Sequence, residues 1–258
     1  MKSLARIWTI AMNTLREAVR NKLLYALLFF GVAVILAGVV LSALSYVESE
    51  RILQDFGFAA IRLFSVAIAI FVGVTLIHRE VERRTVYAIL SKPLSRAEFL
   101  LGKYVGLLVT IWLQMAIMVV FFVAVSLVTG APLDAGHAAA FALIAAELAV
   151  IVAVATFFSA FTTPMLASFF SIGIWALGHM TRDLRDIGAS SISESVQSTT
   201  ALIHRVMPDL ESFNFATEAA HGLAFAASDV WLPLLYGVGY VSVLLVAAIG
   251  IFERRDLR

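Results

Sequence analysis

The chain has 258 residues, of which 61% are apolar and 14% charged, and its mean hydropathy is +0.95. Soluble domains are nearer half apolar and a quarter charged, so this composition excludes a typical soluble enzyme and a disordered chain. The absence of cysteine excludes disulfides, cysteine nucleophiles and zinc–thiolate sites within this sequence. A net charge of only +1 gives no sign of a nucleic-acid partner. The composition instead predicts an all-α integral membrane protein that crosses the lipid bilayer several times.

Residues 1–21 predict an amphipathic helix that lies in the membrane interface. Basic and polar side chains such as Arg6, Asn13 and Arg16 occupy one face. The other face is apolar and consists of Leu4, Ile7, Trp8, Ala11, Leu15, Ala18 and Val19. Two roles fit this pattern, a simple membrane anchor or a helix that moves with a gate.

Long apolar runs predict six transmembrane helices. They cover residues 23–44, 58–77, 104–129, 138–160, 164–180 and 232–252. The apolar stretch of residues 138–180 is about 65 Å long as one helix, against a hydrocarbon core of about 30 Å, so it must fold back. Pro164 suits the first position of a new helix and Thr163 suits its N-cap, which places the break just before residue 164.

The distribution of charge predicts how the chain is oriented in the membrane. Fourteen of the 19 Lys and Arg residues lie in the N-terminal segment, in residues 78–103 and at the C-terminus. The positive-inside rule therefore predicts that both termini and the 78–103 loop are cytoplasmic, as in a bacterial inner-membrane protein. Residues 181–231 then form an outside loop, in which we expect short helices.

The cytoplasmic loop of residues 78–103 is longer and more patterned than a connector needs. Residues 80–90 predict a short helix, which Pro93 ends. Ser95 and Glu98 have the spacing of a capping box, which predicts a second helix that continues into the third span. Either the loop only fixes the topology, or it binds a soluble partner.

The loop resembles that of the ABC-2-type permeases, the membrane subunits of ABC exporters. It is most similar to the branch that includes the permease of the copper-reductase maturation (Nos) system. The matching residues are Glu80, Glu82, Thr85, Leu90, Pro93, Ser95, Arg96, Gly102 and Lys103. The resemblance extends over the whole chain, and one departure is Arg84, where many members have glycine.

The resemblance implies a type V exporter fold, a homodimer in the lipid bilayer and two copies of a separate ATPase. The helix of residues 80–90 would be the coupling helix, seated in a groove of the ATPase. The residues implied in coupling are Glu80, Glu82, Arg83, Arg84, Thr85, Pro93, Ser95 and Arg96. The sequence contains no G-x-x-x-x-G-K-[ST] phosphate loop, so the chain is not expected to be an enzyme, and the partner would bind ATP and Mg²⁺.

Two charged residues fall within predicted spans. Glu147 lies about nine residues into the fourth span and Arg62 lies in the second, where it can extend toward the outer surface or reach Glu147. Glu147 is interpreted either as a packing carboxylate or as a residue that contacts substrate or the dimer seam. The five histidines have no metal-ligand spacing, and Gly102 and Gly106 match a motif for close helix packing.

Three functions are compatible with this pattern. The first is an exporter subunit for an unidentified substrate. The second is a mechanical subunit that transmits ATP-driven motion to an extracytoplasmic partner through residues 181–231. The third, a secondary transporter working alone, is disfavoured because the sequence shows no internal repeat and no interrupted helices near the midplane.

Overall fold

The computed structural model describes residues 2–44, 49–82, 95–190, 195, 197–200, 202 and 207–254. The helices are α1 (Lys2–Val19), α2 (Lys22–Ser42), α3 (Ser49–Glu82), α4 (Arg96–Thr129), α5 (Ala135–Ser159), α6 (Pro164–His179), α7 (Thr181–Ser190), α8 (Ala216–Ala220) and α9 (Ser228–Arg254), with a 3₁₀ helix at Glu211–Phe213. No strand occurs in these ranges, which confirms the predicted all-α membrane fold.

Five helices within the described ranges are long and apolar enough to cross a bilayer. They are α2, the Ser49–Ile77 part of α3, α4, α5 and α9. Helix α6 is apolar but has only 16 residues, about 24 Å at helical rise, which is shorter than a typical hydrocarbon core. The count of six spans therefore stays a prediction.

Helix α5 lies at the centre of the fold because it is apolar on every face. Helices α3, α4, α6, α8 and α9 all pack against it, and residues 150–156 are completely buried. These residues are small or β-branched, which lets the surrounding helices approach closely. Any polar side chain in the middle of α5 must consequently find its partners inside the protein.

Local signals set the ends of α4. Ser95 accepts a hydrogen bond from the backbone N–H of Glu98, and the Glu98 carboxylate accepts one from the backbone N–H of Ser95. The predicted capping box is therefore confirmed. Gly130 ends the helix in the left-handed conformation, with φ of 79°, and its N–H donates to the Ser126 carbonyl.

The chain folds back between α5 and α6 where the sequence predicts it. Helix α5 ends at Ser159 and Pro164 occupies the first turn of α6. Thr163 is the N-cap residue as predicted, although its side chain makes no cap hydrogen bond. Proline itself explains the restart, since its missing N–H would be unpaired there in any case.

Helix α3 continues beyond both ends of the predicted span of residues 58–77. It begins at Ser49, where Leu53 and Gln54 are buried and the Gln54 amide donates to the Pro132 carbonyl, 2.9 Å away. It also includes residues 80–82, which the sequence assigns to a separate coupling helix. Tertiary contacts thus extend a helix past the apolar run that predicts it.

The segment after α6 folds back over the ends of α5 and α6. The Leu210 N–H donates to the Gly178 carbonyl at 3.0 Å. A Cβ atom on Gly178 would lie only 2.7 Å from the Leu210 side chain, so this position needs glycine. Short helices are present here as expected, namely α7, α8 and the 3₁₀ helix.

Candidate functional site

An ion pair lies between α3 and α5 in the interior of the protein. The Nε atom of Arg62 donates to Oε2 of Glu147 at 2.7 Å, and the two side chains are 15% and 0% exposed. The alternative in which Arg62 reaches Glu147 is therefore the one that the structure adopts. A carboxylate this deep in an apolar helix bundle needs such a partner, because an isolated charge there is costly.

Two residues of α6 complete the surroundings of Glu147. The Nε1–H of Trp175 donates to Oε1 of Glu147 at 3.1 Å, and Nε2 of His179 lies 3.4 Å from the same oxygen. Neither residue is among the site residues predicted from the sequence, because a tryptophan and a histidine near the end of an apolar helix are ordinary features of membrane helices. Their spacing of four residues puts them on one face of α6, which is the signal that could have found them.

A cavity of about 310 Å³ opens beside this cluster. Its walls come from α3, α5, α6 and the segment of residues 213–216. The lining is mostly apolar and aromatic, and Arg62 and Trp175 belong to both the cluster and the cavity. Its polar lining is completed by Asp55 and Asn214. The arrangement has the features of a small-molecule site, a concave apolar surface with a few polar groups.

The histidines hold no metal site in the part of the chain that the structure describes. His137 belongs to a capping box at the start of α5, where its Nδ1 atom lies 2.8 Å from Oδ1 of Asp134. The side-chain hydrogen bond from His137 lowers the pKa of the Asp134 carboxyl. This pair therefore stabilises a helix end.

At the opposite end of the bundle, Arg96 joins the start of α4 to the end of α9. Its Nη1 atom donates to the carbonyl oxygens of Phe252 and Glu253, both at 3.0 Å. Beside it, the buried rings of Phe99 and Phe252 stack with centroids 6.2 Å apart. A cation at the last carbonyls of a helix compensates their unpaired acceptors and the negative end of the helix dipole.

Helix α1 packs against the same part of α4. Cβ atoms on Gly102 and Gly106 would lie 2.7 Å from Ile10 Cβ and 2.6 Å from the Ala11 carbonyl oxygen, respectively. The predicted close-packing role of these glycines is therefore confirmed. Two ion pairs flank the contact, Arg6–Glu98 at 3.5 Å and Lys103–Glu17 at 3.7 Å.

This packing divides the predicted apolar face of α1. Ala11 and Ala18 are buried in the protein, together with Thr14, whereas Leu4 and Trp8 remain more than half exposed. One part of the face thus packs on α4, and the other is available to the membrane interface. The helix is attached to the bundle as well as suited to the interface.

Most of the residues implied in ATPase coupling lie at the edge of the described structure. Glu80 and Glu82 stand in the last turn of α3, and their side chains lie outside the described part. Arg83, Arg84, Thr85 and Pro93 lie outside the described residues altogether. Of the set, Ser95 and Arg96 have described contacts, and both residues stabilise helix ends.

Comparison with known families adds the decisive observation. The family of ABC-2 family transporter proteins matches residues 8–257, which is almost the entire chain. No curated protein matches the chain significantly. The family match agrees with the apolar helices and with the resemblance of the loop of residues 78–103. The chain therefore belongs to the ABC-2 family of transporter proteins and is a multi-pass membrane permease of an ABC-type transporter.

Proposed function

We propose that this permease is one half of a homodimeric exporter, driven by two copies of a separate ATPase. The family match over residues 8–257 carries the proposal. The 258 residues contain no phosphate loop, so we assign ATP and Mg²⁺ to the partner chain. The ATPase would dock on residues 79–96 at a cytoplasmic face that also contains both termini. A bacterial inner membrane suits this arrangement of basic residues.

The contacts of α4 support a route for motion from the docking loop into the bundle. Residue 95, which ends the loop, caps α4, and Arg96 holds the last turn of α9. Within the next three turns of α4, Gly102 and Gly106 contact α1. A displacement of the loop would therefore reach the start of α4, the end of α9 and the middle of α1 together.

The test of this function is co-expression of the chain with candidate ABC ATPases from the same genome, followed by purification and reconstitution in liposomes. We expect a complex with two copies of each subunit and ATP hydrolysis faster than that of the ATPase alone. Cargo-dependent stimulation supports export. Stimulation that depends on an extracytoplasmic protein instead supports the mechanical alternative. An ATPase that neither binds the chain nor responds to it contradicts both.

Replacing both Glu80 and Glu82 with alanine is expected to weaken ATPase binding about tenfold. Exposed charge pairs contribute about 0.2–1 kcal/mol each, so two together approach the 1.4 kcal/mol of a tenfold change. The measurement is the ATPase concentration that gives half-maximal stimulation in liposomes. Glu50→Ala is the matched control, because Glu50 is an exposed carboxylate at the other end of the same helix. Equal stimulation in the double variant and the control contradicts the docking role.

The variant Arg96→Ala is expected to separate ATPase binding from transport. It removes two charged hydrogen bonds to α9, each worth about 1.5–3 kcal/mol, and should release the last turn of that helix. Hydrogen exchange of residues 250–254 should accelerate, and transport per ATP hydrolysed should fall while the ATPase still binds. Arg16→Ala changes an exposed arginine and serves as the control. Unchanged exchange at residues 250–254 contradicts this role.

A further inference from the structure

The lining of the cavity beside the Arg62–Glu147 pair contains one charge that no neighbour compensates, and that charge is negative. Arg62 lines the cavity, but Glu147 compensates its guanidinium at 2.7 Å, and its unpartnered Nη2 atom is buried. Asp55 lines the cavity two helical turns, about 10 Å, away from Arg62. It is exposed, and no hydrogen bond or ion pair joins its carboxylate to another described residue. The cavity thus offers a free carboxylate to a ligand, whereas its arginine is already paired.

Aromatic side chains form a large part of the remaining lining. They come from three parts of the chain and are Phe58, Trp175, Phe213 and Phe215. The face of an aromatic ring carries partial negative charge and attracts a cation, most strongly where the cation is removed from water. Phe58 stands one turn of α3 from Asp55 and one turn from Arg62. A ligand between Asp55 and Phe58 is therefore separated from the ion pair by a helical turn.

The surroundings of the cavity are acidic as well. Asn214 in the lining donates to Oε1 of Glu211 at 2.8 Å, so a second carboxylate stands directly behind the wall. The amide oxygen of Asn214 is an additional acceptor. In the predicted outside segments, residues 45–57, 130–137 and 181–231, the sequence has eleven acidic and four basic residues. Such an excess of negative charge raises the local concentration of cations.

We propose that this cavity binds a monovalent organic cation with an apolar body. Its charged end would lie beside Asp55 and its apolar part against the aromatic wall. A volume of about 310 Å³ is at the lower end of small-molecule sites, so the ligand class is a small substituted ammonium or pyridinium ion. A second positive charge would approach Arg62 and is disfavoured. That this cation is the exported cargo rests on the proposed function, whereas its binding to the permease does not.

The test uses the purified permease in phosphatidylcholine nanodiscs, with Trp175 as its sole tryptophan. The other three are replaced as Trp8→Phe, Trp112→Phe and Trp231→Phe. N-Butylpyridinium is the probe, because pyridinium ions quench a nearby indole. We expect saturable quenching of Trp175 that benzyltrimethylammonium reverses. Neopentylbenzene, the uncharged carbon analogue of this competitor, and phenylacetate, an anion of similar size, should not reverse it.

Asp55→Asn removes the free charge with little change in shape. We expect this variant to bind N-butylpyridinium about fivefold more weakly, a loss of about 1 kcal/mol. Asp55→Glu restores the charge and should bind the probe as the parent protein does. Glu50→Gln is the matched control, because Glu50 is an exposed carboxylate of the same helix outside the cavity lining. Equal binding by Asp55→Asn and Glu50→Gln, or reversal of the quenching by phenylacetate, overturns the proposal.

Phe215→Leu tests the aromatic wall, since it keeps an apolar side chain and removes the ring. We expect N-butylpyridinium to bind about threefold more weakly, the loss of one cation–π contact. Phe225→Leu is the control, because the Phe225 ring contacts that of Phe215 with centroids 5.2 Å apart but is not part of the lining. An equal loss in both variants contradicts a contact between the cation and the ring of Phe215.

The same probe distinguishes this proposal from the proposed function. Saturable binding of the cation without any effect on ATP hydrolysis in the reconstituted complex supports the site and contradicts its role in export. Normal coupling to the ATPase without cation binding contradicts the site alone.

Discussion

Replacing Glu147 with alanine is expected to destabilise the permease by about 3–5 kcal/mol, the cost of breaking one side of a buried ion pair. The change leaves Arg62, which is only 15% exposed, without its carboxylate, and it removes the acceptor for the Trp175 indole. Thermal unfolding in detergent measures the loss. Glu147→Gln keeps one acceptor oxygen for Arg62 or Trp175 and should cost less.

Exchanging the two charges tests the pair itself. Arg62→Glu and Glu147→Arg should each destabilise the protein strongly, because each replaces the buried ion pair of 2.7 Å by two neighbouring like charges. The double exchange should recover part of the loss, although Trp175 and His179 then face a cation. A double variant that is no more stable than either single variant contradicts the importance of the pair.

The second large effect is expected at the contact between α1 and α4. A Cβ atom at position 106 would lie 2.6 Å from the Ala11 carbonyl oxygen and 2.9 Å from its Cα, which are backbone atoms that cannot rotate away. Gly106→Leu should therefore push α1 off α4 at a cost near 3 kcal/mol, the upper end for overpacking. Hydrogen exchange of residues 11–18 should accelerate as Ala11, Thr14 and Ala18 become exposed.

Gly250→Ala is the matched control for this prediction. Gly250 is also a helical glycine, in α9, and apart from its chain neighbours and the adjacent backbone of α9 no described heavy atom lies within 4 Å of a Cβ placed there. Alanine is a better helix former by up to about 1 kcal/mol, so the variant should be neutral or slightly more stable. If the α1 amides exchange no faster in the Gly106→Leu variant than in this control, the close contact at Gly106 does not hold α1 against α4.

Several helix boundaries were predictable because short-range chemistry sets them. The capping box of Ser95 and Glu98 needs only a few neighbouring residues, and it forms as expected. Pro164 marks the restart after α5 for the same reason, whereas the side-chain cap expected from Thr163 does not form. The early start of α3 depends on the contact between Gln54 and Pro132, which are 78 residues apart, so no local sequence pattern could predict it.

The candidate site was predictable only in part. Charge in an apolar run identifies Glu147 and Arg62, since such residues are rare and need partners. The two residues are 85 positions apart along the chain. Whether the Arg62 side chain extends toward the surface or pairs with Glu147 depends on how α3 packs on α5. Trp175 and His179 carry only the weaker signal of their four-residue spacing, because an aromatic residue and a histidine near a helix end are ordinary features of membrane helices.

Arg96 has a structural role that the loop motif does not predict, namely the contact with the end of α9. The loop motif connects it with ATPase docking, whereas the structure places its guanidinium on the end of α9, more than 150 residues away. Both roles are compatible, because a residue at the boundary of the loop would transmit a displacement of the loop to the end of α9. The contact with α9 could not be read from the sequence, since any basic residue near a helix end would serve.

That the chain is a helical membrane protein follows from its amino-acid sequence, because the length of the apolar runs and the placement of charge depend on the bilayer and not on neighbouring helices. The loop of residues 78–103 and the resemblance of the whole chain were sufficient to identify the family. Only the packing of the helices shows which helix lies at the centre, where the charge of Glu147 is compensated and which helices contact α4. These properties depend on contacts between distant segments, and one periodic apolar pattern is compatible with many such packings.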